Sequence, residues 1–165
     1  MKPATLIGTV GGIGYLRPAP GTWGSAAALP IAWALHALGG FLLLAACTVL
    51  AIVAGVWAAE AMRRDGSAHD PSEFVLDEVA GQFIALWALS YPAWAHGIEI
   101  TSLWPGWIAA FVLFRLFDIW KPGPVGWADR QKGSFGVVMD DVIAGIMAAL
   151  GVALLAGLWH GVLGL

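Results

Sequence analysis

Charge is what this chain has least of. Only 12% of its 165 residues are Asp, Glu, Lys or Arg, while 59% are apolar, and the mean hydropathy is +0.79. Soluble domains carry about 25% charged residues, so there is too little polar surface here to coat a water-soluble fold of this apolar content. Cysteine is nearly absent. The single Cys47 excludes an intramolecular disulfide and a cysteine-spaced zinc site, and within its apolar run it reads as a buried thiol. A net charge of -3 with eight basic residues leaves no footprint for nucleic acid. Residues 1–24 alternate glycine, proline and apolar residues without a continuous hydrophobic stretch, so no cleavable signal peptide is expected and the chain should insert through its own spans. Internal repeats, low-complexity segments and long linkers are also missing, which predicts one domain over 1–165.

Long hydrophobic runs are present instead. Phe41 to Ala59 holds nineteen residues without a charge, enough at about 1.5 Å per residue to cross a hydrocarbon layer of roughly 30 Å. Ser25 to Leu38 is apolar but shorter, with Pro30 expected near its first turn and Gly39-Gly40 joining it to the next run. This predicts a helical hairpin whose first arm is short, tilted or re-entrant. Val79 to about Trp94, Trp104 to Trp120, and Val142 to about Leu158 follow, the last with small residues at Ala144, Ala148 and Gly151 suited to close helix contact in lipid. Ten tryptophans fit membrane interfaces. The expected fold is all-α: a polytopic integral membrane bundle of about four to five membrane-embedded helices.

The few charges are placed on one side. With the N-terminus inside, segments 1–24, 60–78 and 121–139 hold Lys2, Arg17, Arg63, Arg64, Lys121, Arg130 and Lys132, whereas Gly39-Gly40 and 95–103 hold no lysine or arginine. Such an excess of cations marks the cytoplasmic side. Arg115, the remaining cation, falls in the cytoplasmic last turns of the fourth run. Of eleven acids, Glu99 alone falls on the outer side. Acids obey no topology rule of their own, so their gathering on one face asks for another cause, and a site at the cytoplasmic membrane surface supplies it.

Two acid pairs, Asp77-Glu78 and Asp140-Asp141, stand just ahead of Val79 and Val142, at the expected starts of spans. One carboxylate at each start has a structural use, since it accepts from free N–H groups of a first turn and complements the helix dipole. The second lies roughly 100° further round the helix, at a membrane boundary where an unpaired charge is costly. Four carboxylates on neighbouring helix ends suit a cation bound through oxygen, which is the chemistry of Mg²⁺. Zinc would want His or Cys, and only His69 is near enough in sequence to offer one; a loop histidine serves equally as a plain surface residue.

Further along, Arg115 and Asp118 can pair as a structural i,i+3 bridge. Lys121, one turn on and just before Pro122-Gly123-Pro124, can snorkel to the interface or bind a phosphate as a point charge. The stretch Trp127 to Gly136, with Asp129 and Arg130, reads alone as a solvated loop. Near the N-terminus, Arg17-Pro18-Ala19-Pro20-Gly21-Thr22-Trp23-Gly24-Ser25 reads as an interfacial lead-in whose Ser25 caps the next helix. Its glycines also allow a backbone to approach an anion at a helix N-terminus.

Three polar segments, GTVGGIGYLRPAPGTWGS, HDPSEFVLDEVAGQ and FRLFDIWKPGPVGWADRQKGSFGVVMDDVIAG, together resemble the phosphatidylglycerophosphatase A family. Its members are bacterial membrane enzymes that remove the terminal phosphate of phosphatidylglycerophosphate. The likeness runs in order from about Gly8 to Gly145. Leu76 stands where an aromatic is expected, and Gly123 replaces a bulky aromatic; neither position ionises, so both departures bear on substrate fit.

The resemblance implies a Mg²⁺-dependent lipid phosphomonoesterase facing the cytoplasm from the bacterial inner membrane. The chain has no Cys-x5-Arg loop and no Asp-x-Asp with a following threonine, so covalent phosphatase routes lack a motif here and metal-assisted attack by water is favoured. Asp77, Glu78, Asp140 and Asp141 are then the metal ligands, with Asp118 as a further ligand or base. Arg115, Lys121 and Arg130 would neutralise phosphate oxygens, and Gly21, Thr22, Gly24, Ser25 and Asp129 would complete the substrate site. A small ion transporter is the alternative, but the spans carry no charge in their middles and no inverted repeat appears. The expected partners are the phospholipid and the bilayer; oligomeric state stays open.

Overall fold

A computed structural model describes residues 1–66, 71–131 and 133–163. Every regular element among them is helical: α1 (Pro3–Gly8), α2 (Pro20–Arg64), α3 (Leu76–His96), α4 (Trp104–Trp120), α5 (Pro124–Asp129) and α6 (Ser134–Leu163), with 3-10 turns at Ile13–Tyr15 and Ile100–Leu103.

The predicted hairpin is present inside α2. Gly39 and Gly40 leave helical geometry, with φ of -153° and +63°, and the second value favours glycine. The chain doubles back there. Gly24 on the first arm packs on Val75, and Met62 near the end of the second lies beside Phe74, so both arms meet the start of α3; Gly40 instead rests on Trp94, near the end of α3. A side chain at Gly40 would come within 2.3 Å of the Trp94 ring.

Two expected boundaries shift. The first arm begins at Pro20 rather than Ser25, because proline fits a first turn, and Pro30 lies within the helix. Ser25 therefore caps nothing: the residue preceding the helix is Ala19, without a side-chain cap, and the Ser25 hydroxyl donates to the Gly21 carbonyl at 3.0 Å. Likewise α6 begins at Ser134, so Asp140 and Asp141 sit on its second turn rather than its first. The loop expected over 127–136 is mostly helical, since α5 buries Val125 and Ala128 beside α6.

Three helices are long and apolar enough to cross a membrane: Pro20–Arg64, Ile100–Trp120 and Ser134–Trp159. That is fewer than the four to five expected, partly because the hairpin is one continuous element. The other reason is α3. It is the central helix, with Asp77, Gln82 and Ser90 buried along its length, and its neighbours sheath it, so it need not be apolar all round. Its large exposed apolar residues are Tyr91 and Trp94, both near its end. The outer helices show the opposite pattern. Ile108, Val112 and Leu116 on α4, and Ile146, Leu150, Leu154 and Leu158 on α6, recur every four residues and stay exposed, as lipid-facing stripes do. This is a membrane protein.

Between helices in lipid the hydrophobic drive is weak and close contact has to hold the bundle. The core joins Ala28, Ala32 and Leu44 of α2, Phe83, Leu86 and Leu89 of α3, Ala110 and Phe114 of α4, and Ala144, Ala148 and Val152 of α6. Two polar contacts cross it: Trp87 Nε1 donates to Thr48 Oγ1 at 3.2 Å, and His36 Nδ1 lies 2.7 Å from Ser90 Oγ. Such bonds contribute about 0.6 kcal/mol each in a bilayer.

Candidate active site

The starts of α2, α3 and α6, the short α5 and the end of α4 meet at one end of the bundle, and glycine is what lets α2, α3 and α6 approach. At Gly145 a Cβ would stand 2.4 Å from the Gly81 carbonyl, and at Gly81 it would stand 2.6 Å from the Asp141 carbonyl and 2.5 Å from the Phe114 ring. The backbones of α3 and α6 are therefore in contact, which carries Asp77 and Glu78 to Asp141. Gly21 does the same for α2, since a Cβ there would fall 2.1 Å from Glu78 Oε1 and 3.3 Å from Arg115 Nη1.

The result is a ring of five carboxylates. Oxygens of Asp77, Glu78 and Asp141 lie within 4.8 Å of one another, and so do oxygens of Asp118, Asp140 and Asp141. Asp77, Asp140 and Asp141 are buried. Two unit charges about 4 Å apart repel by about 4 kcal/mol at an effective dielectric constant of 20, so such crowding needs positive charge. Two side chains supply some of it. Arg115 Nη1 forms an ion pair with Asp118 Oδ2 at 2.5 Å and donates to Ser25 Oγ at 3.4 Å. Lys121 Nζ donates to Asp140 Oδ2 at 3.0 Å and also to Asp129. Burial pulls the Lys121 ammonium down, but its bonds to Asp129 and Asp140 outweigh this and push it above the usual lysine range, so it stays charged. The turn that presents it is built by Lys121 itself at φ 51°, followed by Pro122 and Gly123.

Several buried polar atoms are left without a hydrogen-bond partner among the described residues: Glu78 Oε2, Asp141 Oδ1, Arg115 Nε and both amide atoms of Gln82. The unmatched oxygens and the carboxylate donor set fit a hard cation such as Mg²⁺, which takes oxygen ligands and keeps several waters.

The chain matches the profile of phosphatidylglycerophosphatase A over residues 6–156, which contains all of these elements' site residues. It belongs to that family. It is similar to phosphatidylglycerophosphatase A of Escherichia coli (strain K12), 35% identical over 150 residues that cover 90% of this chain and 80% of that one. The protein of the same name from Haemophilus influenzae is 36% identical over 152 residues, 91% of this chain and 86% of that one. A Bacteroides thetaiotaomicron relative named as a candidate phosphatidylinositol-3-phosphatase is 40% identical over 153 residues, 90% of each chain. No solved structure matches.

For this phosphatidylglycerophosphatase A family member, a phosphatase, the structure brings together Asp77, Glu78, Asp118, Asp140, Asp141, Arg115, Lys121, Asp129, Gly21 and Ser25. Ser25 reaches the cluster as a fully buried acceptor for Arg115. Gly24 turns instead to Val75, whose side chain and carbonyl would crowd a Cβ at 2.9 and 3.2 Å. Thr22 is half-buried, and Arg130 is exposed beside Gly126 of α5. His69, Asp70 and Lys132 lie outside the described residues. Gln82 was not singled out from sequence, because an uncharged amide in an apolar run suggests no chemistry; its cues are its place at the end of the segment HDPSEFVLDEVAGQ and one helical turn after Glu78.

Proposed function

We propose that this protein hydrolyses the terminal phosphomonoester of phosphatidylglycerophosphate, giving phosphatidylglycerol and inorganic phosphate, with Mg²⁺ held by Asp77, Glu78, Asp140 and Asp141. The observation that carries this reading is the carboxylate ring beside Arg115 and Lys121 at one end of a lipid-facing bundle. A lipid phosphate can reach such a place while its acyl chains stay between helices. Both arms of α2, with α3, α4 and α6, would cross the bacterial inner membrane. The cation-bearing end then faces the cytoplasm, as the distribution of Lys and Arg supports.

Bound among these carboxylates, Mg²⁺ would polarise the phosphate and lower the pKa of an attacking water. The chain's own groups set the rest. Arg115 presents a planar fork to phosphate oxygens, with Asp118 and Ser25 fixing its orientation. Lys121 adds a point charge from the α4–α5 turn, held there by Asp129 and Asp140. Asp118 is also suited to take a proton from the attacking water. Gly21, lacking a side chain, lets the start of α2 lie directly against the Glu78 carboxylate and the Arg115 guanidinium.

A second reading concerns the headgroup, since the Bacteroides relative's name points to a phosphoinositide. Purified protein in mixed micelles should release phosphate from phosphatidylglycerophosphate at least tenfold faster than from phosphatidic acid or phosphatidylinositol 3-phosphate. EDTA should abolish release and Mg²⁺ restore it. Full activity in EDTA sinks the metal-dependent reading; preference for the inositol lipid sinks the substrate assignment.

A further inference from the structure

The carboxylates do not form one ligand set. Oxygens close enough to share an ion fall into two groups, Asp77 with Glu78 and Asp141, and Asp118 with Asp140 and Asp141; among the described residues no such group contains both Asp77 and Asp118. Asp141 is common to both, is 3% exposed, and has Oδ1 without a hydrogen-bond partner. Asp118 and Asp140 each give an oxygen to Arg115 or Lys121, yet a carboxylate has about four lone-pair sites and can bind a cation as well.

A separate observation lies outside the carboxylates. Gln82 is fully buried, with both its amide oxygen and its amide nitrogen unpaired. It stands one turn inward of Glu78 on α3, and helical side chains lean towards the N-terminus of their helix, which places the amide on the side of the turn that carries Asp77 and Glu78. A group with one donor and one acceptor face free suits ordered water, and hydrated Mg²⁺ brings such water with it.

Charge gives the number. Five carboxylates face Arg115 and Lys121, and Lys121 is divided between Asp140 and the exposed Asp129. One divalent ion leaves the cluster negative and hostile to a phosphate dianion; a second removes that excess. We propose that two divalent cations bind side by side, one between Asp77, Glu78 and Asp141, the other between Asp118, Asp140 and Asp141, with Asp141 bridging them. This rests on the metal-dependent reading above and makes Asp118 a ligand of the second ion.

The test uses the full-length protein in detergent, stripped of metal and titrated with Mn²⁺ in place of Mg²⁺, with electron paramagnetic resonance as the readout. Two Mn²⁺ per chain with a spin-coupled spectrum are expected. Asp77→Asn and Asp118→Asn should each keep one ion and lose the coupling, and Asp141→Asn should weaken both ions at least tenfold. The wild-type stoichiometry decides the matter even where a variant fails to fold. One Mn²⁺ per chain, none, or two without coupling overturns the inference. One bound ion together with EDTA-sensitive phosphate release would overturn the pair alone, whereas release that persists in EDTA would overturn the metal-dependent reading itself.

Discussion

A methyl group added at Gly21 would stand 2.1 Å from Glu78 Oε1 and 3.3 Å from Arg115 Nη1, the mobile ends of two side chains. Such ends can move aside at little cost to the fold, but here they belong to the proposed site. Gly21→Ala is therefore expected to lower kcat/KM by about 10- to 100-fold, or about 1.4–2.7 kcal/mol, while changing unfolding stability by less than about 0.5 kcal/mol. Gly24→Ala should do the reverse, because its methyl meets the Val75 side chain and carbonyl. A stability loss of about 1–3 kcal/mol is expected there with activity per folded molecule retained. Thermal melts and phosphate release on both variants separate the two roles, and equal effects would refute the distinction. At this scale the ionisable part of the site was legible, because a carboxylate at a membrane boundary stands out in an apolar chain. Which glycine faces the site depends on where α2 starts, and a start at Pro20 could not be told from one at Ser25 by composition.

Among elements, the contact that matters most to the site is α3 against α6. Gly145→Ala would push a methyl to 2.4 Å from the Gly81 carbonyl, and rigid backbone cannot give way as a side chain does. We expect a loss of about 1–3 kcal/mol with a fall in activity, as Asp141 moves from Asp77 and Glu78. Gly157→Ala, at a position with open space around it, should stay within about 0.5 kcal/mol and retain activity. A Gly145→Ala protein as stable and active as wild type would show that the helices do not touch there. The hairpin was readable in Gly39-Gly40, and the end of α4 in Pro122-Gly123-Pro124. The early start of α6 was hidden, since Asp129-Arg130-Gln131 reads as solvated loop while neighbouring Val125 and Ala128 pack beside α6.

For the molecule as a whole, the site and most charges lie at one end, while Gly39-Gly40 and the Ile100–Leu103 turn lie at the other. Aromatic side chains mark both levels, with exposed Trp23, Trp120 and Trp127 near the site and exposed Trp33, Trp94, Trp104 and Trp159 towards the far end. In a Cys47→Ala background, Ile98→Cys should react with an impermeant maleimide in intact cells, and Arg64→Cys only after the membrane is opened. The opposite pattern would invert the orientation. Positive-inside reading of the sequence supplied this expectation, because topology depends on a few cations in short loops rather than on packing.

The central position of α3 has a consequence for how the protein is made. This helix carries Asp77, Glu78, Gln82 and Ser90 and is not among those apolar enough to cross a membrane. A segment of that kind partitions poorly by itself during synthesis. In the proposed topology it settles in the bilayer once the α2 hairpin is there to shelter its polar face, and α6 arrives last to close the other side. The order of the helices along the chain is, in that proposed topology, also the order in which the bilayer can accept them, and the carboxylates of α3 enter under cover.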